Sequence, residues 1–460
     1  MKLFRTKSIS DVIQNAEKKS LKKTINVFDL IMLGIGCTIG TGIFVVTGLA
    51  AAKYAGPGIS LSYLFAAIAC MFAALAYAEL ASMVPVAGSA YTYSYVVFGE
   101  LIAWLVGWGL ILEYTIGAST IAVGWSGYMV GILKSGGIFI PEHLAKPVSE
   151  GGLINLPAIF ISLFIGALLI RGTKEGVIVN RILVAVKIVA IFIFLYVAAP
   201  HVKVENWSNF MPFGWSGIII GAATVFYAYI GFDALATAAE ECKNPKRDLS
   251  IGIIGSLAVC TILYIAVSLA LTGITHYSNL DNSEPLAYAL RANGSNIGSI
   301  LVATGAIAGM TTVLLVLMYG QSRIFFAMSR DGVIPSYFSK LHNKFSTPHI
   351  SLMLVTFCVA LISGFLPIEI LSYLTSLGTL FAFLVVAAGV LVLRIIKPDL
   401  ERPFRCPALY IVAPMAILTC GYLIYTLLSK TGELFLIWSL IGLIIYFSYS
   451  YKNSVLNNPK

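Results

Sequence analysis

The chain has 460 residues, of which 58% are hydrophobic and only 11% are charged, and its mean hydropathy is +0.90. Soluble proteins carry about 25% charged residues, so this composition excludes an ordinary water-soluble protein and indicates an integral membrane protein. The formal net charge of +9 is spread through the gaps between apolar segments, which argues against nucleic-acid binding.

Apolar segments long enough to cross a membrane recur along the chain. A transmembrane helix needs about 20 mainly apolar residues, and this criterion predicts an all-α membrane protein with twelve transmembrane helices. The predicted spans are 28–51, 58–82, 99–131, 153–170, 176–199, 214–240, 251–274, 298–328, 349–366, 369–396, 408–428 and 434–451. The first run follows a polar N-terminal stretch without a cleavage pattern, so we expect it to stay in the membrane.

The positions of Lys and Arg predict how these spans are oriented. Most of the 30 Lys and Arg residues fall in alternate gaps, on the side of the N-terminus. The gaps on the opposite side hold only a few: Lys53, Lys134, Lys146, Lys203, Arg291 and Lys430. Positive residues favour the cytoplasmic side, so both termini are predicted to be cytoplasmic in a multi-pass protein of the inner (plasma) membrane.

The first span contains "GIGCTIGTGIF" at positions 34–44, with four glycines in an apolar run. A dinucleotide-binding loop would need a preceding strand, which a membrane segment does not supply. Gly36 and Gly40 form a small-xxx-small pattern that favours close helix packing. Glycines near mid-span also let a helix unwind, which frees N–H groups that can hold an anion. Unwound backbone at membrane depth is tolerated only along a cavity, so this last interpretation predicts a binding site.

The sixth span contains a similar pattern, "FYAYIGFDALATAAEE" at 226–241, in which Gly231 lies near mid-span and Asp233 follows it. Interruptions in the first helix of each five-helix half are typical of an inverted-repeat transporter. The halves share no visible similarity, so the repeat rests on these interruptions and on the opposite predicted orientation of spans 1 and 6. The predicted organisation is a cytoplasmic N-terminal segment (1–27), a first repeat of helices 1–5 (28–199), a second repeat of helices 6–10 (214–396), helices 11 and 12 (408–451) and a cytoplasmic tail (452–460).

Three motifs in this order carry a resemblance to a known family. They are the glycine motif of span 1, "YIGFDALATAAEECKNPKRDLSIGI" from Tyr229 to Ile253, and "AMSRDGVIP" from Ala327 to Pro335, with "PFRCP" at 403–407 as a further match. Together they resemble the cationic amino acid transporter family of the amino acid, polyamine and organocation (APC) superfamily, in its twelve-helix bacterial form. The resemblance implies a LeuT-type fold, a 5+5 inverted repeat with broken helices 1 and 6.

The resemblance also implies that an amino acid binds between the two broken helices. Its carboxylate would accept hydrogen bonds from the backbone N–H groups of Gly40, Thr41 and Gly42 and from the side-chain hydroxyl of Thr41. The implied ligands of its ammonium are carbonyl oxygens, those of Thr38, Tyr227 and Ile230.

Two bulky residues are expected to bound the pocket. Phe232 would lie over it as an aromatic gate, as the resemblance implies. Met310 in span 8 would limit its size and favour small neutral amino acids, the alternative being ordinary packing of a buried methionine.

Inserting an ionisable residue at mid-span costs about 2.5–3.5 kcal/mol on insertion scales, so each such residue is a candidate for a functional role. Lys187 in span 5 is expected to donate hydrogen bonds to span-1 carbonyls and to couple transport to protons, as the resemblance implies. The alternative is a permanently charged lysine that only tethers the two helices. Glu113 in span 3 is expected to line the pocket, or else to bond a neighbouring helix. Asp233 is expected to cap the half-helix that follows it.

These observations predict a permease that imports amino acids by alternating access, most simply as a proton-coupled symporter. Exchange of one amino acid for another or for a polyamine stays open as an alternative, with a channel as a remote one. No enzyme, cofactor or metal site is expected, because the five histidines fall in predicted loops or at helix ends and no HExxH, GxSxG, Walker or CxxC pattern occurs. The expected partners are the amino acid, protons and the lipid bilayer.

Overall fold

The fold is described from a computed structural model, which covers residues 4–9, 12, 25–86, 88–172, 176–345 and 347–457. Within these residues the chain is helical, with no β-structure beyond two isolated bridges, Ile25–Cys242 and Ala145–Asn155. Eight helices of the described part are long and apolar enough to cross a membrane. The predicted all-α membrane class is therefore confirmed, whereas the number of twelve crossings stays a prediction.

The first half of the chain forms seven helices within the described residues. They are α1 (Val27–Thr38), α2 (residues 42–55), α3 (Ile59–Met83), α4 (Ser89–Val97), α5 (Glu100–Ser135), α6 (Leu156–Arg171) and α7 (Gly176–Ala198). A capping box starts α1, because Asn26 Oδ1 accepts from Asp29 N at 3.0 Å and Asp29 Oδ2 accepts from Asn26 N at 3.2 Å. After α2, Gly56 at φ 60° and the following Pro57 turn the chain into α3.

Within the described residues, the second half contains seven further helices of eight or more residues, and two 3₁₀ segments lie between the first and second of them. The helices are α8 (Gly214–Val225), α9 (Pro245–Ile274), α10 (Pro285–Ala292), α11 (Asn296–Arg330), α12 (His349–Phe365), α13 (Ile368–Ile396) and α14 (Leu409–Ile445). The 3₁₀ segments, Phe226–Tyr229 and Phe232–Glu241, follow α8. The predicted spans 11 and 12 form one element, α14, which is interrupted at the non-helical Thr431 where the sequence predicted a connecting loop.

Two short helices, α4 and α10, were not among the predicted spans. The sequence of α4, "SAYTYSYVV", is too short and too polar to meet the span criterion, yet Tyr91, Tyr93 and Tyr95 are buried. Tertiary packing of these rings supplies the stability that a nine-residue helix lacks in isolation.

The two ends of the helix bundle are tied by polar contacts. At the termini end, Arg5 Nη1 donates to Leu456 O at 2.7 Å, and Lys7 Nζ lies 2.7 Å from Asp331 Oδ1. At the far end, Lys53 Nζ lies 2.8 Å from an oxygen of Glu369. These contacts join distant parts of the chain at each end of the bundle.

Helix α5 is fixed by tryptophans that join it to the second half of α14. Trp108 Nε1 donates to Trp438 O at 2.8 Å, and Trp438 Nε1 donates to Trp108 O at 3.1 Å. Their rings stack with centroids 4.4 Å apart. This clasp lies about one turn from Glu113, so it holds the part of α5 that carries this residue.

Candidate functional site

The helix of the first span is interrupted inside the glycine motif. Helix α1 ends at Thr38, the backbone is extended at Ile39 (φ −76°, ψ 101°), and α2 starts at Gly42 as a π-helix. A helix end leaves its last carbonyl groups, and a helix start its first N–H groups, without partners inside the helix. The first interruption therefore presents acceptors from α1 and donors from α2.

The sixth span is interrupted at the second glycine pattern. Ile230 is extended (φ −64°, ψ 137°) and Gly231 has φ 121°, a conformation that favours glycine. The amide of Gly231 donates to Asp233 Oδ1 at 3.3 Å. A Cβ atom at Gly231 would lie 2.8 Å from Cys37 O, so the two interruptions pack directly against each other.

Gly42 is a second position at which the interruptions approach closely. A Cβ atom there would collide with the backbone of Ala228, which lies in the 3₁₀ segment before the second interruption. Glycine at this position therefore serves the packing of the site, in addition to any contact with a ligand.

Lys187 of α7 lies at the carbonyl end of α1. Its side chain is fully buried, and its Nζ donates to Gly36 O at 2.7 Å and to Ile39 O at 3.0 Å. A cation at the C-terminal end of a helix is favoured by the helix dipole. Lys187 does not line the central cavity described below, so its contacts with α1 are the direct link between this charge and the interruption.

Tyr264 of α9 connects the two interruptions and was missed from the sequence. Its hydroxyl lies 3.0 Å from Thr38 O and 2.8 Å from Ala228 O. A phenol has one proton to donate, so the two carbonyls share it. Nothing in the sequence around Tyr264 marks it, because its partners are backbone atoms that become available only after the helices unwind.

A small cavity lies between the interruptions. Seven sequence-predicted site residues line it: Thr38, Gly40, Thr41, Gly42, Glu113, Tyr227 and Ile230. The sequence analysis missed its other lining residues, which are Cys37, Gly117, Ile121, Val313, Leu317 and Thr375. The spacing of Glu113, Gly117 and Ile121, one helical turn apart, is the signal that could have found two of them.

The cavity is nearly filled, and its lining residues are all buried. The volume open to the centre of a water molecule is about 20 Å³, which suffices for about one water. An amino acid needs more room than that, so binding requires the lining helices to move apart.

Two buried polar atoms of the lining lack hydrogen-bond partners among the described residues, Thr41 Oγ1 and Glu113 Oε2. Buried polar groups are normally paired, so both atoms indicate a polar ligand. The carboxyl group of Glu113 also bonds the Thr379 hydroxyl of α13, so only its Oε2 is left without a partner among the described residues.

The carbonyl acceptors are already partly used. Thr38 O accepts from Tyr264, and Tyr227 O accepts from Ile230 N at 3.2 Å. A carbonyl oxygen has two lone pairs, so each can still accept one hydrogen bond from a ligand.

Two predicted site residues lie away from the cavity lining. Phe232 is buried against Phe383 and Tyr77, with ring centroids 4.9 Å and 6.3 Å apart. Met310 is fully buried one turn before Val313 on α11, and Val313 takes the lining position. The gating role of Phe232 and the size-limiting role of Met310 therefore stay predictions.

Comparison with known proteins decides the family. The family model described as amino acid permease matches residues 25–449, nearly the whole chain. The chain belongs to the amino acid permease family.

Relatives of this permease have several names. It is 48% identical to a branched-chain amino acid permease of Bacillus subtilis and 46% identical to a methylthioribose transporter of the same organism, each over 99% of both chains. It is also 41% identical to a chloroplastic cationic amino acid transporter of Arabidopsis thaliana, over 86% of this chain and 71% of the relative.

The permease is thus a multi-pass membrane protein of the APC superfamily, a superfamily of amino acid transport. The resemblance stated from its motifs is confirmed. Its family consists of permeases, which move solutes and are not enzymes.

Proposed function

We propose that this permease imports an amino acid by alternating access, as a proton-coupled symporter with a LeuT-type fold. We also propose that it lies in the plasma membrane with both termini in the cytoplasm. One observation carries the proposal: donors of α2 and acceptors of α1 and of residues 226–230 surround a single buried cavity. Such a cavity is complementary to a zwitterion.

The α-carboxylate is assigned to the start of α2. The N–H groups of Gly40, Thr41 and Gly42 lie at the positive end of that helix, and the unpartnered Thr41 hydroxyl adds a donor. The α-ammonium is assigned to the free lone pairs of the Thr38 and Tyr227 carbonyls and to Ile230. This arrangement needs no buried counter-charge for either group.

An aliphatic side chain fits the remaining wall of the cavity. Ile121, Val313 and Leu317 are apolar, and Glu113 is the only carboxyl group among the described lining residues. The name of the Bacillus subtilis branched-chain amino acid permease supports the same substrate class. We therefore propose a neutral aliphatic amino acid as the substrate.

Proton coupling is assigned to Lys187. Its ammonium donates to two carbonyls of the first interruption, and the described residues supply it with no carboxylate partner. Loss of a proton would remove the positive charge that holds the end of α1. A buried amine with this role can bind a proton on one side of the membrane and release it on the other.

Alternating access requires the two closed ends to open in turn. The Lys53–Glu369 pair closes the far end, and the Lys7–Asp331 pair closes the termini end. Breaking one pair at a time would expose the cavity to one side. Movement of one five-helix repeat against the other is the proposed cause.

The test uses purified protein in proteoliposomes that contain no amino acid. A thermal-shift screen of the twenty amino acids and methylthioribose first identifies the ligand, because binding stabilises the folded state. An inward proton gradient is then expected to drive accumulation of that amino acid. Accumulation that follows Na⁺ and ignores the proton gradient would overturn proton coupling, and uptake that needs internal amino acid would indicate exchange.

Transport of methylthioribose is a second candidate function, favoured by the relative of that name. This sugar has neither an ammonium nor a carboxylate group, so it would leave the donors of α2 without a charged partner. Stabilisation by methylthioribose and by none of the amino acids would favour it over the proposed function.

A further inference from the structure

A second concavity lies at the termini end of the bundle, apart from the central cavity. It is formed by the start of α9 and by the loop between α13 and α14, and we call it the α9 groove. Its lining residues are Lys246, Arg247, Ser250, Ile251, Ile254, Gly255, Pro403 and Phe404. The volume open to the centre of a water molecule is about 370 Å³, far larger than that of the central cavity.

The groove has a cationic end and an apolar end. Lys246 and Arg247 are in the first turn of α9, whereas Ile251, Ile254 and Gly255 lie one to two turns further along. The 30 residues of α9 extend about 45 Å, compared with about 30 Å for the hydrocarbon core of a bilayer. The cations therefore reach the membrane–water interface while the apolar end lies at the depth of the acyl chains.

The wall opposite α9 is held in place by a buried ionic cluster. Glu79, at the end of α3, is 1% exposed and pairs with Arg394 at 2.5 Å and with Arg402 at 3.2 Å. Glu79 Oε2 also accepts from Cys406 N at 2.8 Å. Beside it, the amide of Phe404 donates to Ser82 Oγ at 3.2 Å. The loop that carries Pro403 and Phe404 is thus anchored, and the groove is a built feature.

The two cations are available to an anion. Lys246 Nζ lies 3.2 Å from Glu401, but the two side chains are 62% and 81% exposed, and such surface pairs contribute little. Arg247 is exposed and forms no ion pair with any residue that the structure describes. Two neighbouring cations above an apolar cleft are complementary to a molecule with an anionic head and a hydrocarbon tail.

We propose that the α9 groove binds an anionic phospholipid. Its phosphate lies between Lys246 and Arg247, and one acyl chain enters the apolar end, along Ile251 and Ile254. Beyond the groove the acyl chain continues along α9 over Ile262, which is 69% exposed. The site is separate from the substrate cavity, so it does not depend on which solute the permease carries.

The test measures the Tm of the full-length, delipidated protein in detergent, by tryptophan fluorescence. Dioleoyl-phosphatidylglycerol is compared with dioleoyl-phosphatidylcholine, which has the same chains and no net charge. The anionic lipid is expected to raise the Tm of the wild type by roughly 2–4 °C more than the zwitterionic one. The double variant Lys246→Gln/Arg247→Gln should lose most of this difference.

The matched control is Lys340→Gln/Lys344→Gln, which removes the same charge from exposed positions outside the groove. It should respond to phosphatidylglycerol as the wild type does. All these variants concern exposed side chains, and their Tm without lipid checks that they fold.

Three results would overturn the proposal. In the first, the groove variant and the control lose the lipid response equally. In the second, inorganic phosphate alone reproduces the wild-type shift, which would indicate a phosphate site without lipid. In the third, poly-glutamate stabilises the wild type and phosphatidylglycerol does not, which would indicate an acidic protein partner.

Discussion

The two helix interruptions are stabilised by charges of opposite sign. At the first, the ammonium of Lys187 donates to carbonyls at the end of α1. At the second, the carboxylate of Asp233 accepts from Gly231 N at the start of a 3₁₀ helix. Each charge complements the helix end beside it, positive at the carbonyl end and negative at the N–H end. The comparison indicates that each opened backbone is stabilised by the protein itself, before any substrate binds.

The interruptions also differ in what they leave for a ligand. The first has Thr41, whose hydroxyl lacks a partner among the described residues, and the donor end of α2. The second contributes mainly carbonyl groups near Tyr227 and Ile230. The first interruption therefore suits a carboxylate and adds one acceptor, Thr38 O, for an ammonium, whereas the second offers acceptors for the ammonium, so changes at each should have different effects.

The largest effect is expected from Gly42→Val, which should abolish uptake. A side chain at this position collides with the backbone of Ala228 and separates the two interruptions. The control is Gly421→Val, where the nearest atom to a new Cβ is Leu384 Cδ1 at 4.0 Å. Both variants are assayed for uptake in proteoliposomes after gel filtration shows a single folded species.

If Gly42→Val does not fold, Gly42→Ala makes the same comparison with a smaller side chain. Normal uptake by a folded Gly42 variant would show that close contact between the interruptions is unnecessary.

Tyr264→Phe is expected to give the next largest effect. It removes the hydroxyl that both interruptions share, a net contribution of about 1 kcal/mol, so substrate affinity should fall about fivefold. The matched control is Tyr229→Phe, because the centroid of the Tyr229 ring lies 5.2 Å from that of Tyr264 and its hydroxyl donates to Tyr63 O at 3.0 Å. Equal losses of affinity in the two variants would show that the hydrogen bonds of Tyr264 to the two interruptions have no specific role in binding.

Substitutions of Asp233 distinguish a capping role from direct contact with the substrate. Asp233→Ala should lower the free energy of unfolding by about 1 kcal/mol, as other losses of a helix cap do. Asp233→Asn keeps an acceptor for Gly231 N and should recover most of that stability and of uptake. Thermal unfolding and uptake are measured on both variants. Loss of uptake in the Asn variant with normal stability would instead indicate a charge that contacts the substrate or a proton.

The smallest effect is expected from Glu113→Gln. We expect uptake of neutral amino acids to change little, because the rest of the wall is apolar, and uptake of basic ones to fall about threefold. Competition assays with neutral and basic amino acids measure the ratio, and Glu205→Gln, at an exposed position, serves as the control. An unchanged ratio of basic to neutral uptake would show that Glu113 only bonds α13 and does not select the substrate.

The sequence indicated those parts of the site that involve residues unusual in a membrane helix. Several glycines in one span, Gly231 before Asp233, and a lysine at mid-span each conflict with an uninterrupted apolar helix, so they could be recognised without a structure. The interruptions at 39–41 and 230–231 lie within these patterns.

The remaining parts of the site consist of ordinary residues whose role depends on packing. Val313 and Leu317 are typical of any apolar helix, and which face of α11 turns inward depends on its neighbours. Tyr264 lies 226 positions from Thr38, and no local pattern relates the two. The α9 groove likewise forms only where α9 meets the loop at 403–404, and no periodic pattern in the sequence predicts that contact.

The most direct test concerns Lys187, whose charge links the first interruption to the proposed driving force. Wild type, Lys187→Met and the exposed control Lys203→Met are compared in proteoliposomes without internal amino acid. With an inward proton gradient, wild type and Lys203→Met should concentrate the amino acid above its external level. Lys187→Met should only equilibrate it. Accumulation by Lys187→Met equal to that of the wild type would contradict the account.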